Sequence, residues 1–303
     1  MMEWITGIQR AIDYIEEHIT EELDYEAIAR ESFSSSFHFQ RVFSILCGYT
    51  LGEYIRSRRM TLAGIALAAG SERVIDVALR YGYDSPDSFT RAFCKFHGIT
   101  PSQARCEGAK LKSFSRLSFR ITLEGGTMMN YRIEKKPAMT LTGFKKRFEG
   151  TPLDRRDQDH HFWTATRLNQ YILQGMARDC ATAYEVITNI DDDGYDFYIA
   201  SKLGDYALVH FEEELGDDIA SRFEHLHLRE TTYLVCETEK CKYPTEKIGD
   251  LYRKAVTEWL PSAGYELADL PEVDIIHWYY NEEDEAINHN RYVELWLPIT
   301  AKK

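Results

Sequence analysis

Apolar residues fall at helical intervals through the first third of the chain and at alternating, strand-like intervals through much of the rest. Trp4, Ile5, Ile8, Ala11, Ile12 and Ile15 predict a first amphipathic helix ending near Thr20. Asp24 caps a short helix over 25–31 that buries Ile28 and Ala29, and Phe33 with Ser34, Ser35 and Ser36 makes a turn. The next helix carries Phe37, Phe39, Val42, Phe43 and Leu46 and stops at Gly48, a residue suited to a left-handed C-terminal cap. Thr50 and Glu53 form a capping box, each side chain answering the other's backbone N–H, and open a longer helix to Gly70.

The plan then repeats. Val74, Ile75, Val77, Ala78 and Leu79 predict a support helix, and Tyr81, Gly82 and Tyr83 a turn. Ser85 is an N-cap followed by Pro86 at the first helical position, and the helix it opens buries Phe89, Ala92, Phe93 and Phe96 before Gly98. Phe39-Gln40-Arg41-Val42-Phe43 with Gly48 and Thr50 thus reappears, fifty residues on, as Phe89-Thr90-Arg91-Ala92-Phe93 with Gly98 and Thr100. Two helix-turn-helix units, each with an arginine at the same place on its second helix, suit a reader of two DNA grooves.

Beyond Gly125-Gly126 the period changes from helical to alternating. Strand, helix, strand, strand is read twice: 131–148 (broken at Pro137), a helix over 162–176, 183–190 and 195–202, then 227–237, a helix over 245–260, 273–280 and 291–299. The expected fold class is multidomain. An all-α N-terminal domain with two helix-turn-helix units (1–108) is followed by a linker (109–127, with a short strand at 117–123) and an α+β domain of duplicated βαββ units (128–303).

Charge sharpens that division. The formal net charge is −13, which taken whole argues against nucleic acid. Residues 30–120, however, hold fourteen Lys/Arg against seven Asp/Glu, and residues 125–303 hold twenty-one against thirty-three. A basic DNA-reading module joined to an acidic domain fits that asymmetry, and the acidic part favours cationic ligands. No apolar run approaches a membrane span and the N-terminus lacks a signal-peptide pattern, so the expected location is cytoplasmic, with no membrane partner. Six cysteines form no CxxC pair, and neither His225-Leu226-His227 nor His160-His161 has zinc-type companions; no metal and no cofactor is expected.

Residues 5–106 resemble the DNA-binding domain of the AraC/XylS family. The marks are Ile28-Ala29 with Ser32, Phe39 to Phe43, Gly48-Tyr49-Thr50, Tyr54-Ile55-Arg56 with Arg58-Arg59-Met60, Ile75-Asp76-Val77-Ala78, Gly82-Tyr83, and Phe89 to Phe93 through Gly98-Ile99-Thr100-Pro101-Ser102. Ala104 departs from the pattern, because the family usually has an aromatic residue before the arginine, here Arg105. With Phe39, Val42, Phe43 and Leu46 packed inward, the helical period turns Phe37, Gln40, Arg41 and Ser44 outward. The resemblance implies that Phe37, Gln40 and Arg41 face bases, with Asp87, Ser88, Thr90 and Arg91 as their equivalents in the second unit. Arginine pairs bidentately with guanine and glutamine with adenine. Asp87 either accepts from cytosine N4 or caps its own helix, and Phe37 either touches a thymine methyl or covers the core edge. Arg56, Arg58, Arg59, Lys95 and Arg105 are candidates for phosphate contacts, the alternative for each being a solvated surface charge.

The C-terminal part resembles the GyrI-like small-molecule-binding domain found behind DNA-binding modules. The resemblance rests on Trp259-Leu260-Pro261-Ser262-Ala263-Gly264-Tyr265-Glu266 and on Val293-Glu294-Leu295-Trp296-Leu297-Pro298-Ile299. Glu294 shares a strand face with Tyr292 and Trp296, and a lone carboxylate among aromatics needs a partner. The resemblance implies a cleft in which Glu294 receives a cationic or aromatic effector, with Trp163, Tyr198, Trp278 and Tyr279 as further pocket candidates. Core packing is the plainer reading of those aromatics, and a solvent-facing strand position that of Glu294. The expected function is a sequence-specific transcriptional regulator, not an enzyme, with double-stranded DNA, a small effector and RNA polymerase as candidate partners. The alternatives are that the GyrI-like domain acts as a small-molecule hydrolase or as a protein-binding module.

Overall fold

The computed structural model describes residues 2–70, 72–118, 129–278 and 288–302. The chain divides into two compact units, one of Met1–Phe43 with Tyr49–Glu124 and one of Gly125–Lys303 with Ser44–Gly48. The N-terminal helices are α1 (Met2–Glu17), α2 (Tyr25–Arg30), α3 (Ser36–Cys47), α4 (Leu51–Ala68), α5 (Val74–Arg80), α6 (Pro86–His97) and α7 (Pro101–Ala104). The start signals act as read. Asp24 accepts from Glu26 N, Thr50 and Glu53 complete a capping box, Ser85 caps α6, and Thr100 with Gln103 completes a second box. Gly98 ends α6 in the left-handed region, at φ 79°.

Each helix-turn-helix unit has its own core along α4. In the second, Met60, Ala63 and Leu67 meet Val77, Ala78, Phe89 and Phe93, and Ala104 closes the cluster fully buried. His97 shows how tightly α6 seats on α4. A Cβ on Gly64 would lie 2.8 Å from the imidazole, so only glycine lets the ring approach. That ring sits 3.0 Å from Met60 O through Nε2 and accepts from Lys112 N through Nδ1 at 3.2 Å, which fixes the neutral, Nε2-protonated tautomer. Part of the stretch read as linker therefore belongs to this unit. Phe114 N also donates to Thr61 Oγ1, and the Phe114 ring packs on Tyr49 and Tyr54. Of the strand expected at 117–123, residues 119–123 lie outside the described residues.

The C-terminal unit is built on β1 (Tyr131–Lys136), β2 (Met139–Glu149), β3 (Thr182–Thr188), β4 (Gly194–Ser201), β5 (Glu224–Leu228), β6 (Thr231–Glu237), β7 (Tyr265–Leu267), β8 (Glu272–His277) and β9 (Tyr292–Ala301). The main strand order is β1-β6-β9-β8-β3-β4-β2-β5, all pairs antiparallel, with β7 paired to the end of β9. The duplication is visible in that order: β2, β3 and β4 form one unit, β6, β8 and β9 its echo, and the two meet where β3 pairs with β8. Helices α8 (Arg156–Ala165) and α9 (Arg167–Ala177) fall between β2 and β3, and α13 (Ile248–Lys254) between β6 and β8.

Three features differ from the sequence reading, the first being that the helix expected over 162–176 is two, α8 and α9, parted at Thr166. The expected strand at 227–237 starts earlier and is interrupted at Arg229-Glu230, giving β5 and β6, which run on in one antiparallel register against β2 and β1 and do not pair with each other. Residues 205–220 form three short helices, α10 (Asp205–Val209), α11 (Phe211–Leu215) and α12 (Asp217–Ala220), that the acidic composition hid. They hold through Phe211 and Ala220, which join Phe144, Phe148, Phe162, Leu173, Phe197 and Ile199 in the core between helices and sheet. The other sheet face carries a second cluster, including Val186, Tyr198, Tyr233, Val235, Val273, Ile275 and Trp296.

Candidate nucleic-acid interface and effector site

Helices α3 and α6 occupy equivalent places in the repeat but differ in exposure. On α6, Asp87, Arg91 and Lys95 form an exposed stripe at helical spacing, with Ser88 and Thr90 half-buried beside it. Ser85, not Asp87, supplies the cap: its Oγ accepts from Ser88 N at 3.2 Å, and Ser88 Oγ returns a bond to Ser85 O at 2.9 Å. The Asp87 carboxylate stays exposed in the first turn, where the helix dipole favours it.

On α3 the equivalent positions are less exposed. Phe37 and Gln40 are half-buried, the latter bonded to Ser36 Oγ at 3.1 Å. Arg41 is only 2% exposed and Ser44 is buried too, against the outward placement that the period predicts.

The phosphate candidates separate in the same way. Arg56 and Lys95 are exposed. Arg58 is a structural cation: its Nε and Nη2 hold Glu16 at 2.7 and 2.8 Å, and its Nη1 donates to Phe114 O at 2.6 Å. Tyr54 Oη donates to the same carboxylate at 2.7 Å, and these partners, led by Arg58, hold Glu16 below the usual carboxylate range against the upward push of burial. Arg59 ties α4 to the end of the first helical region through Ile19 O and Glu21 O, at 2.9 and 2.6 Å. Arg58 and Arg59, phosphate candidates by the sequence, thus both make internal ties, to a carboxylate and to backbone carbonyls. Arg105, also exposed, donates to Gly70 O at 3.1 Å.

In the C-terminal unit the register fixes which candidates meet. Glu294 lies opposite Glu237 on β6 and Ile275 on β8, with Trp296 and Tyr292 on its own face. Two carboxylates directly opposite repel unless a cation joins them. Arg132, on edge strand β1, is that cation: it donates to Glu294 Oε2 at 2.9 Å and pairs with Glu237 and Glu134. Trp296 Nε1 donates to the same Glu294 oxygen at 2.9 Å, and a ring nitrogen of His277 lies 3.5 Å from the other. His277, then Trp296 and Arg132, hold the Glu294 carboxyl down to about 2 despite its partial burial. Tyr292 stacks on His277 with centroids 4.2 Å apart, and Lys136 places its ammonium 4.3 Å from the Trp296 ring centre.

Tyr198 shares this face three strands away, beside Lys145 and bonded to Glu224 Oε2 at 3.3 Å. Trp163 does not. It lies on the helix-covered face, where its Nε1 donates to Glu185 Oε1 at 2.8 Å and where, with Trp278, it lines a separate cavity. Alternation explains Trp278, which follows His277 on the strand and so points the other way. Tyr279 lies outside the described residues. The sequence reading missed Arg132, Lys136 and His277. The one available signal was β1 itself, where Arg132, Glu134 and Lys136 are turned inward while Tyr131 and Ile133 are exposed, the inverse of an ordinary edge strand.

Comparison with known proteins fits this division. The helix-turn-helix domain family matches residues 28–106, and the family of integron-associated effector binding proteins matches residues 132–299, more than half of the chain. The regulatory protein SoxS of Salmonella typhimurium is 39% identical over 98 residues, 32% of this chain and 92% of that protein. The HTH-type transcriptional regulator YbfP of Bacillus subtilis is 38% identical over 104 residues, and this chain spans 35% of its length. An integron cassette protein from the mobile metagenome of Vibrio cholerae covers 56% of this chain and 95% of its own, at 16% identity and a TM-score of 0.38. Among the described residues no helix is long and apolar enough to cross a membrane. The chain belongs to the AraC-type helix-turn-helix transcriptional regulators, and its C-terminal domain to the integron-associated, GyrI-like effector-binding family.

Proposed function

We propose that this regulator senses a lipophilic organic cation on the Glu294 face of its C-terminal domain and reads DNA chiefly through the exposed stripe of α6. The observation that carries the effector reading is that protein cations already stand where a ligand cation would go. Arg132 sits on Glu294, and Lys136 sits over Trp296. A carboxylate and an indole face that both hold cations are suited to one ligand with positive charge and aromatic surface. That ligand competes with Arg132, which keeps Glu134 and Glu237 as partners after Glu294 lets it go.

On the DNA side, Arg91 is the base reader, flanked by Thr90, Ser88 and Asp87, with Lys95 and Arg56 on phosphates. Phe37 and Gln40 contribute from α3, and Arg41 contributes only where α3 becomes accessible. Because the two readers differ in sequence, an asymmetric operator is expected. RNA polymerase is the natural protein partner of such a regulator, and the cytoplasm its place of work. Binding is favoured over hydrolysis at Glu294, since a carboxyl held near 2 is a weak general base at neutral pH.

Titration of the full chain with crystal violet, a triaryl cation, tests the effector reading, with its uncharged leuco form as control. Saturable binding of the cation, weakened at least tenfold in Glu294→Gln, is the expected result. Equal binding by wild type and variant refutes charge recognition at Glu294.

A further inference from the structure

On the opposite side of the sheet from Glu294, between the helices and strands β3 and β8, lies a cavity of about 580 Å³. That volume falls within the roughly 300–1,000 Å³ typical of small-molecule sites. Its charged wall is unbalanced. Glu185 and Asp274 are register partners on adjacent strands, each only 2% exposed, and both pair with one guanidinium, Arg155, whose Nη2 is 3.1 Å from Glu185. Of that pair Glu185 lines the cavity, and a third carboxylate, Asp159, one turn along the chain from Arg155, lines it too. Its Oδ1 is buried and has no hydrogen-bond partner among the described residues.

One buried cation thus faces three carboxylates, with His160 and the Trp163 indole N–H as the further polar groups beside Asp159. A buried charge costs several kcal/mol unless it is paired, so this surplus must be met by protons or by a further cation. Protons answer part of it, since burial holds the carboxyls of Asp159 and Glu185 above their ordinary range. The cavity offers room for the other answer. Trp163 and Trp278 stand on its walls, and Tyr252, whose hydroxyl is bonded to Glu272, closes its α13 side. Aromatic walls beside a carboxylate surplus suit an ammonium or amidinium on a flat apolar body.

We infer that this cavity is a second ligand site, distinct from the Glu294 face, that takes an aryl-alkyl ammonium compound against Asp159 and Glu185. The inference is independent of the Glu294 reading. One strand links the two sites: β8 sends Asp274 to the cavity side and Ile275 and His277 to the Glu294 side.

Calorimetric titration of the full chain with 4-phenylbutylammonium, and with 4-phenylbutanol as the uncharged control, tests it. Three variants discriminate. Asp159→Asn removes charge without changing shape. Gly249→Phe fills the cavity from α13, where an added Cβ meets nothing within 4 Å. Glu294→Gln alters only the opposite face. One-to-one binding of the ammonium is expected, weakened about tenfold by Asp159→Asn, abolished by Gly249→Phe and retained in Glu294→Gln. Absence of binding by the wild type, undiminished binding in Gly249→Phe, or loss in Glu294→Gln alone overturns the inference; the last assigns the ammonium to the Glu294 face. If Asp159→Asn fails to fold by circular dichroism, Gly249→Phe alone decides.

Discussion

Arg58 offers the sharpest contrast between a charge that reads DNA and a charge that holds the fold. Arg58→Met keeps an unbranched apolar stem and removes the guanidinium. Three bonds are lost, two to Glu16 and one to Phe114 O. The Glu16 carboxylate, 9% exposed, is left with Tyr54 as its remaining donor on α4. Stranding a buried partner costs about 3–5 kcal/mol where water cannot reach it. Here the carboxylate keeps the Tyr54 hydroxyl as a donor, so about 3 kcal/mol, the lower end of that range, is expected. At roughly 5 °C per kcal/mol for a domain of this size, the first thermal transition falls by roughly 15 °C. The effect is pH-dependent with a definite sign. Glu16 is held below its ordinary value of 4.5, so its contribution is present above that pH and disappears as pH falls through the folded value. The gap between wild type and variant therefore narrows in acid. Differential scanning calorimetry at pH 7 and pH 4, together with the salt dependence of DNA binding at 15 °C, is the assay. Unchanged stability, with a salt slope reduced by about one, would return Arg58 to the phosphates and refute the structural assignment.

Three further outcomes follow from the same geometry. Arg91→Ala lowers affinity for a cognate promoter fragment by about 1–3 kcal/mol while leaving the melting transition in place, measured by fluorescence anisotropy and calorimetry; equal affinity removes Arg91 from the base contacts. Arg132→Met takes away the internal competitor, so crystal violet binds about tenfold more tightly by titration; weaker binding means that Arg132 supports the site rather than occupying it. Asp159 is raised to about 6, so its neutral form supports the fold below its ordinary value of 3.8 and that support is lost as pH rises through about 6. Asp159→Asn should accordingly gain on the wild type between pH 4.5 and 7.5 in urea unfolding, and a gap that shrinks over that interval contradicts the burial argument.

The helices of the N-terminal unit were legible because their signals are local. Thr50 with Glu53, Ser85 with Pro86, and Gly98 each set a helix end from within a few residues. The duplicated strand plan was legible from alternation, and Glu294 from a charge set in an apolar strand. What stayed hidden depends on contacts distant in sequence. Arg132 reaches Glu294, 162 residues away, only because β1 joins the sheet beside β6, a pairing that no spacing reveals. Arg58 looks like any arginine of a basic helix until Glu16 comes alongside. Trp163 was grouped with Glu294 on residue type, and the sheet then divided them, since adjacent strand positions face opposite ways.

The central claim is that occupancy of the Glu294 face changes DNA binding. The most direct test is the affinity of the full chain for its own promoter fragment, by fluorescence anisotropy, with and without saturating crystal violet, in wild type and in Glu294→Gln. The account predicts a shift of about 5–150-fold in the wild type, the usual range for coupled sites, and no shift in the variant, which still binds the fragment unliganded. An equal shift in both proteins, or none in the wild type despite a saturated site, contradicts it.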